Sequence, residues 1–378
     1  MTYRNSIATD VSADGSVVVG FAYNQNFDYR AFRWQNGLME PIAPRTGGWS
    51  EAHGVSADGN VVVGGATGPQ AELMVAFRWT PREGMQFLGA LGGAMGRANA
   101  ASADGSVIVG HAEEASGNYS AFRWTAREGM RNLGGFGGSY SVAHGVSADG
   151  SVIVGYAKDE LDYWRAFRWT QETGMQDLGD FGGLNSRAFR VSADGTVIVG
   201  TAEYRGNITH AFRWTEQGGL QDIDTLNSPM SLAYDVSDDG NIVVGHYAPT
   251  VDDFFRAFRW TPVRGMEDLN IVYANLLTDG SVLFQAFAIS ADGRFIVGSG
   301  QNAATGRREA YLLDMRVPCN THNGDVDESG CVDDADLLAV LFAFGQTGQS
   351  LGRVDTNCDA IVDDADLLII LFNFGQGC

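Results

Sequence analysis

The chain has 378 residues and a net charge of −21 at neutral pH. That length allows one large core plus a small module, and the charge argues against a nucleic-acid backbone as partner. Fifty glycines against eight prolines suit many short strands joined by tight turns rather than disorder. No apolar run approaches the ~20 residues that span a bilayer, so no membrane span is expected.

Met1-Thr2-Tyr3-Arg4 offers neither a basic nor an apolar leader, so no signal peptide is read there. From Ser12 onward one motif recurs: Val-Ser-Ala-Asp-Gly or a near variant, then an apolar run ending in Gly. Its Ser falls at Ser12, Ser56, Ser102, Ser147, Ser192, Ser237 and Ser290, in steps of about 45 residues apart from a longer last one. A second motif, Ala-Phe-Arg-Trp, opens at Ala31, Ala76, Ala121, Ala166, Ala211 and Ala257, with Ala310-Tyr311-Leu312-Leu313 as a degenerate seventh. Self-similarity at this period marks a repeat architecture.

The fourth unit shows the elements. Val142–Val146 and Val152–Val154 flank Asp149-Gly150, a hairpin signal. Ala166-Phe167-Arg168-Trp169 suits a third strand and Met175-Gln176-Asp177-Leu178 a fourth. Four strands per unit, seven times, predicts an all-β, seven-bladed β-propeller over residues 1–317. The central run is apolar on both faces, as a blade between two others requires. Arg168 is expected to pair with the turn carboxylate Asp149, and likewise in every blade. No fourth strand is found after Leu313, so the last blade is expected to be incomplete. A closing strand and a secretory signal upstream of Met1 are inferred from that gap. Ile271–Leu283 reads as an insertion between blades six and seven.

In Thr209-His210-Ala211-Phe212 and Arg165-Ala166-Phe167 the units resemble the HAF repeat, a family of bacterial extracellular and surface proteins. The resemblance covers residues 1–317 and implies a non-cytoplasmic location but no activity.

Residues 319–378 differ in kind. They hold all four cysteines and eleven acids against one base, Arg353. An oxygen-ligand pattern for calcium fits twice. The first loop offers Asp325, Asp327, Ser329, the Cys331 carbonyl, Asp333 and Asp336, with Gly330 at the sharp turn. The second offers Asp355, Asn357, Asp359, the Ile361 carbonyl, Asp363 and Asp366, with Ala360 in place of that glycine. Both continue into Val-Asp-Asp-Ala-Asp-Leu-Leu, so two calcium ions and a small all-α, EF-hand-like domain are expected. Asp at the twelfth position and a helix only after each loop resemble a type I dockerin. That resemblance implies calcium-dependent folding and docking onto a cohesin-like or cell-surface partner. Asp334-Ala335 and Asp364-Ala365 stand where dockerins carry a hydroxyl pair, so no particular cohesin preference carries over. Four cysteines in so short a segment suggest two disulfides and an oxidising compartment. Cys319–Cys378 and Cys331–Cys358 are favoured, although four cysteines allow three connectivities.

No catalytic constellation is found. No Gly-x-Ser-x-Gly occurs, and no cysteine lies in the propeller. The Gly-rich segments precede no helix that could bind phosphate. His53 and His144 sit at equivalent positions, three residues before the motif Ser, and read as strand-end residues, with a ligand role as the alternative. The loops between second and third strands vary from unit to unit and emerge on one end. They carry Phe27, Tyr29, Tyr119, Tyr163, Trp164, Tyr204, Phe254 and Phe255 beside Glu113, Asp159, Glu203 and Asp252. Aromatics beside carboxylates could stack on sugar rings, or could be incidental. The expected function is a secreted or surface-bound, non-catalytic propeller that binds protein or glycan on this face. The alternatives are an enzyme or accessory of polysaccharide breakdown and a structural envelope element.

Overall fold

The computed structural model describes residues 5–23, 28–42, 48–68, 73–206, 208–251, 254–315, 324–327, 329–346, 351–356 and 361–377. It divides into two compact units, Met1–Leu313 and Asp314–Cys378.

The first unit is a β-propeller. The fourth blade is representative, with antiparallel strands Gly137–Val146, Val152–Asp159, Trp164–Thr170 and Gly174–Asp177. Among the described residues, blades one to six have four strands each and the seventh has three, Val282–Ile289, Phe295–Asn302 and Arg307–Asp314. Single parallel bridges, Tyr119 beside Tyr140 and Thr209 beside Met230, join blades three to four and five to six into eight-stranded sheets. Among the described residues no sheet closes on itself. Contact between first and last blades closes the ring instead: Ala8, Val11, Val18 and Phe32 pack with Ala288 and Val297.

Each second strand is buried on both faces. Ile153 packs with Val109 and Phe167 on one side, while Val152 and Val154 pack with Ile198 and Phe212 on the other. Blades are stitched by polar contacts as well. The third-strand alanine N–H donates to a serine hydroxyl of the next blade in Ala31–Ser50, Ala121–Ser141, Ala166–Ser186 and Ala211–Ser231. Ala310 does the same to Ser6 at 3.0 Å, carrying the pattern from the last blade to the first.

The repeated turn explains its own composition. Ser147 is 1% exposed; its hydroxyl accepts from the Val152 N–H at 3.0 Å and donates to Asp149 at 2.7 Å. Asp149 also accepts from the Ser151 N–H. Gly150 adopts φ +74°, and a Cβ there would lie 2.5 Å from Val107 of the preceding blade. The Ala148 N–H donates to the Ala193 carbonyl of the next turn. The expected Asp149–Arg168 pairing is therefore corrected: serine takes the turn carboxylate in every blade. Where the recurrent arginine crosses to a neighbour it reaches a carbonyl, Arg33 to Gly59 and Arg213 to Gly240. The insertion after blade six holds a short helix, Leu269–Val272, and a 3-10 turn, Ala274–Leu276.

The second unit holds two ten-residue helices, Asp334–Ala343 and Asp364–Asn373. Each opens on a capping box, Asp333 with Asp336 and Asp363 with Asp366. The two halves clasp reciprocally. Val362 exchanges backbone bonds with Gly345 and Gln346, and Val332 with Gly375 and Gln376. Val332, Val340, Val362 and Ile370 form the core between them.

Candidate binding cavity

Every first strand carries a β-bulge at the same place, three residues before the motif serine. An invariant alanine precedes each bulge and is wholly buried: Ala8, Ala52, Ala98, Ala143, Ala188, Ala233 and Ala286. The glycine ending the apolar run lies opposite that alanine. A Cβ on Gly155 would sit 1.9 Å from the Val142 carbonyl oxygen, so only glycine admits the bent strand. A bulge re-aims the residue it releases from the ladder. Here the seven released residues are Thr9, His53, Asn99, His144, Phe189, Tyr234 and Phe287, and all seven line one cavity of about 530 Å³.

Two of the seven spend their polar groups on the fold. Thr9 donates to the Ala52 carbonyl and Asn99 to the Ala143 carbonyl. The histidines do not. His53 Nε2 and His144 Nε2, with Nδ1 of His111 on the adjoining wall, are enclosed without a hydrogen-bond partner. His53 Nε2 lies 3.4 Å from Glu51 Oε2 but outside hydrogen-bonding geometry. Burial pushes His111 down to about 4 and His144 down to about 3, and it lowers His53 too, so all three are neutral at pH 7.

The turn end of this space is tied by a buried ion triad. Arg190 reaches Asp10 of the first blade at 3.0 Å and Asp235 of the sixth at 3.2 Å. Burial raises both carboxyls, Asp235 to about 6, against the opposing pull of Arg190. Each carboxylate also accepts backbone N–H groups, Val55 onto Asp10 and Ile289 onto Asp235. Neither carboxylate lines the cavity. They therefore fasten blades one, five and six rather than offering an acid–base pair to a substrate.

Aromatic rings continue from the cavity toward the variable loops. His144 stacks on Tyr156 at 5.0 Å, and Tyr156 meets Trp164 edge-on at 5.1 Å. Trp164 lies 5.6 Å from Tyr140, which lies 5.4 Å from Tyr119. On the other side Phe189 touches Tyr234, and Tyr234 touches Phe287 and His246. Phe255 packs on His246 at 4.3 Å, and Tyr29 on the lining residue Phe21 at 5.7 Å. Of the loop aromatics singled out in the sequence, Tyr29, Tyr119, Trp164 and Phe255 thus adjoin the cavity's ring system. Tyr204 instead stacks on Phe181 and donates to Asp222. Phe254 is 84% exposed, beside Phe284. Tyr163 is half-buried with no ring contact, while Phe27 and Asp252 lie outside the described residues. Glu113, Asp159 and Glu203 are engaged with Ala94, Arg165 and Asn185.

In the second unit, oxygens of Asp325, Asp327 and Asp336 come within 4.8 Å of one another. Gly330 takes φ +89°, as the turn requires, and Ser329 Oγ donates to the Cys331 carbonyl at 3.0 Å. Asp336 is fully buried and accepts from the Val326, Asp327 and Asp333 N–H groups. Asp333 and Asp363 cap their helices through the N–H groups of Ala335 and Ala365. In the second loop Asp355 and Asp366 are buried, Thr356 donates to Asp366, and Ile361 is exposed. Asn357 and Asp359 lie outside the described residues. So do Cys319, Cys358 and Cys378; Cys331 is disulfide-bonded.

The sequence matches no known family, and no curated protein resembles it. The HAF-repeat and dockerin assignments are therefore corrected: no match supports either, and the likenesses found are to propellers of other proteins. A puromycin-hydrolyzing peptidase of Mycobacterium tuberculosis aligns over 83% of this chain with 13% identity and a TM-score of 0.56. This chain spans about half of that protein, 52%. The β-propeller domain of the Trilobed protease from Pyrococcus furiosus, described as having an open velcro topology, aligns over 83% of this chain and 96% of its own. Its identity is 9% and its TM-score 0.51. A protein assigned as TolB from Agrobacterium tumefaciens aligns over 84% of this chain and all of its own, with 16% identity and a TM-score of 0.49. At the identities of the first two, whose TM-scores exceed 0.5, the shared property is the fold alone, and the chain is a β-propeller followed in sequence by a small helical unit.

Proposed function

We propose that the propeller is a binding module that takes its ligand at the central cavity and the aromatic loops around it. One observation carries this reading. The seven bulged residues, released from the ladder by the same backbone device, change from blade to blade and all line one cavity. Residues serving the fold are repeated in nearly every blade, whereas a ligand site is asymmetric and needs different side chains around it. The loop aromatics Trp164 and Tyr119 extend the same surface outward. Arrays of glycans and peptides probed with the whole chain test the reading. A retained ligand should lose most of its signal on Trp164→Ala. Ligands indifferent to that change would place recognition elsewhere and overturn it.

We also propose that the first acidic loop of the second unit holds calcium through Asp325, Asp327 and Asp336, with the second loop as its counterpart. Three convergent carboxylates, one of them buried, suit a hard divalent cation. Bound calcium would offset the mutual repulsion of these acids and couple metal binding to folding. Chelation with EDTA should lower the helicity and protease resistance of residues 324–377. Unchanged helicity and protection would remove the metal from the account.

A further inference from the structure

The lining of the propeller cavity states the chemistry of its ligand more narrowly than a binding role does. Charge comes first. Arg97 is paired with Glu51 at 3.0 Å, and Arg190 is divided between Asp10 and Asp235. The Arg187 guanidinium lies over the Tyr156 and Trp164 rings. Arg97 and Arg190 are the charged residues among the cavity's lining, and both are held by carboxylates outside it, so a charged ligand would have to displace an existing ion pair. Enclosing such a ligand would leave a charge without a partner, at a cost of several kcal/mol.

Polarity comes second. Buried polar groups in folded proteins are nearly always hydrogen-bonded, and an orphan calls for an explanation. The imidazoles of His53, His111 and His144 place three such orphans on adjoining blades two, three and four of one cavity. Neutral imidazole presents one donor and one acceptor, a combination that suits hydroxyl groups, which are themselves both. The opposite arc, formed by Phe189, Tyr234 and Phe287, is aromatic and partly exposed to the cavity. Apolar ring faces on one arc and donor–acceptor nitrogens on the other fit a flat, uncharged, polyhydroxylated ring. A volume of about 530 Å³ lies in the range of small-ligand pockets and exceeds what a single water or ion needs.

From these features we infer that the cavity binds an uncharged sugar ring, with C–H faces against Phe189 and Tyr234 and hydroxyls on the imidazoles of His53, His111 and His144 that line it. This rests on the binding-module reading and names the ligand class of that site.

The test is a titration of the full chain, followed by tryptophan fluorescence and calorimetry. Probes are methyl glycosides of glucose, galactose, mannose and N-acetylglucosamine, glucuronic and sialic acids as charged sugars, and indole as a flat ring without hydroxyls. At least one neutral glycoside should bind, with the charged sugars and indole weaker by about tenfold or more. His144→Phe keeps a ring on Tyr156 but removes both nitrogens, and should weaken the neutral sugar by about tenfold. His53→Phe should act in the same direction, with thermal midpoints confirming that both variants fold. Equal or tighter binding of indole or a charged sugar overturns the inference, as does binding unaffected by both histidine changes. Array binding that depends on Trp164 but not on His144 would leave the module reading standing and defeat only the sugar assignment. A chain that retains nothing on any array would defeat both.

Discussion

The bulge near the end of each first strand and the turn that follows it obey opposite rules. In the turn, serine, aspartate and glycine recur almost unchanged, and their polar groups are satisfied within five residues. Three residues earlier the bulged position holds Thr, His, Asn, His, Phe, Tyr and Phe in turn, and its histidines are left without partners. One strand and its turn therefore serve both purposes. Their repeated part builds the ring, and their divergent part spends stability on an enclosed, incompletely satisfied surface. Incomplete satisfaction of buried polar groups costs free energy in the folded protein.

The comparison can be broken most forcefully at the ion triad, where a bulge-region residue has been recruited to the fold. Arg190→Ala would leave Asp10 and Asp235 buried without a cation and should cost about 3–5 kcal/mol. Chemical denaturation would measure it, and a loss under 1 kcal/mol would mean that the triad is not fastening the blades. Gly155→Ala places a methyl against the Val142 carbonyl and should cost about 1–3 kcal/mol by the same measurement. Stability equal to the parent would show that the bulged strand relaxes freely.

Acidity should separate the two regions with smaller effects. Hydrogen bonds from the Ser16 N–H and the Ser12 hydroxyl hold Asp14 below its ordinary value; those from the Ser147 hydroxyl and the Ser151 N–H do the same for Asp149. A carboxyl depressed in the folded state contributes stability above its unfolded pKa, lost as pH falls through the folded one. Unfolding midpoints should thus drop below about pH 4, the ordinary aspartate range. Asp235 has the opposite sign. Its folded pKa, raised by burial to about 6, makes its contribution greatest at low pH and lost as pH rises from about 4 to 6. Asp235→Asn should flatten that part of the profile while leaving the acid limb. An unchanged profile between pH 4 and 6 would contradict the buried-carboxyl assignment.

The turns, the alternation in Ala166-Phe167-Arg168-Trp169 and the three-stranded last blade were legible because periodicity repeats each local signal seven times. The partner of Arg168 was not. Sequence adjacency cannot show that the Ser147 hydroxyl reaches Asp149 first. The cavity was hidden for a related reason. A strand reads as period two, and the bulge at His144 breaks that period without any proline or glycine at the bulged residue itself. A signal did exist: invariant alanines at Ala143 and its equivalents, a glycine opposite each, and a hypervariable residue directly after. Read together, small–variable within an apolar strand marks a backbone kink that exports one side chain. The Trp164 loop was visible as an aromatic surface, but its continuity with His144 through Tyr156 depends on neighbours that only the fold brings together.

Ser147 and His144 stand three residues apart, one opening the turn and the other in the strand before it, and the unfolding free energies of their variants test the account most directly. Ser147→Ala strips the buried Val152 N–H of its acceptor and should lose about 1–3 kcal/mol. His144→Phe removes an orphan nitrogen and keeps the ring, so it should match the parent within about 0.5 kcal/mol or exceed it. If the histidine change instead proves as damaging as the serine change, that position belongs to the scaffold, and the division between a repeated fold and a divergent site is wrong.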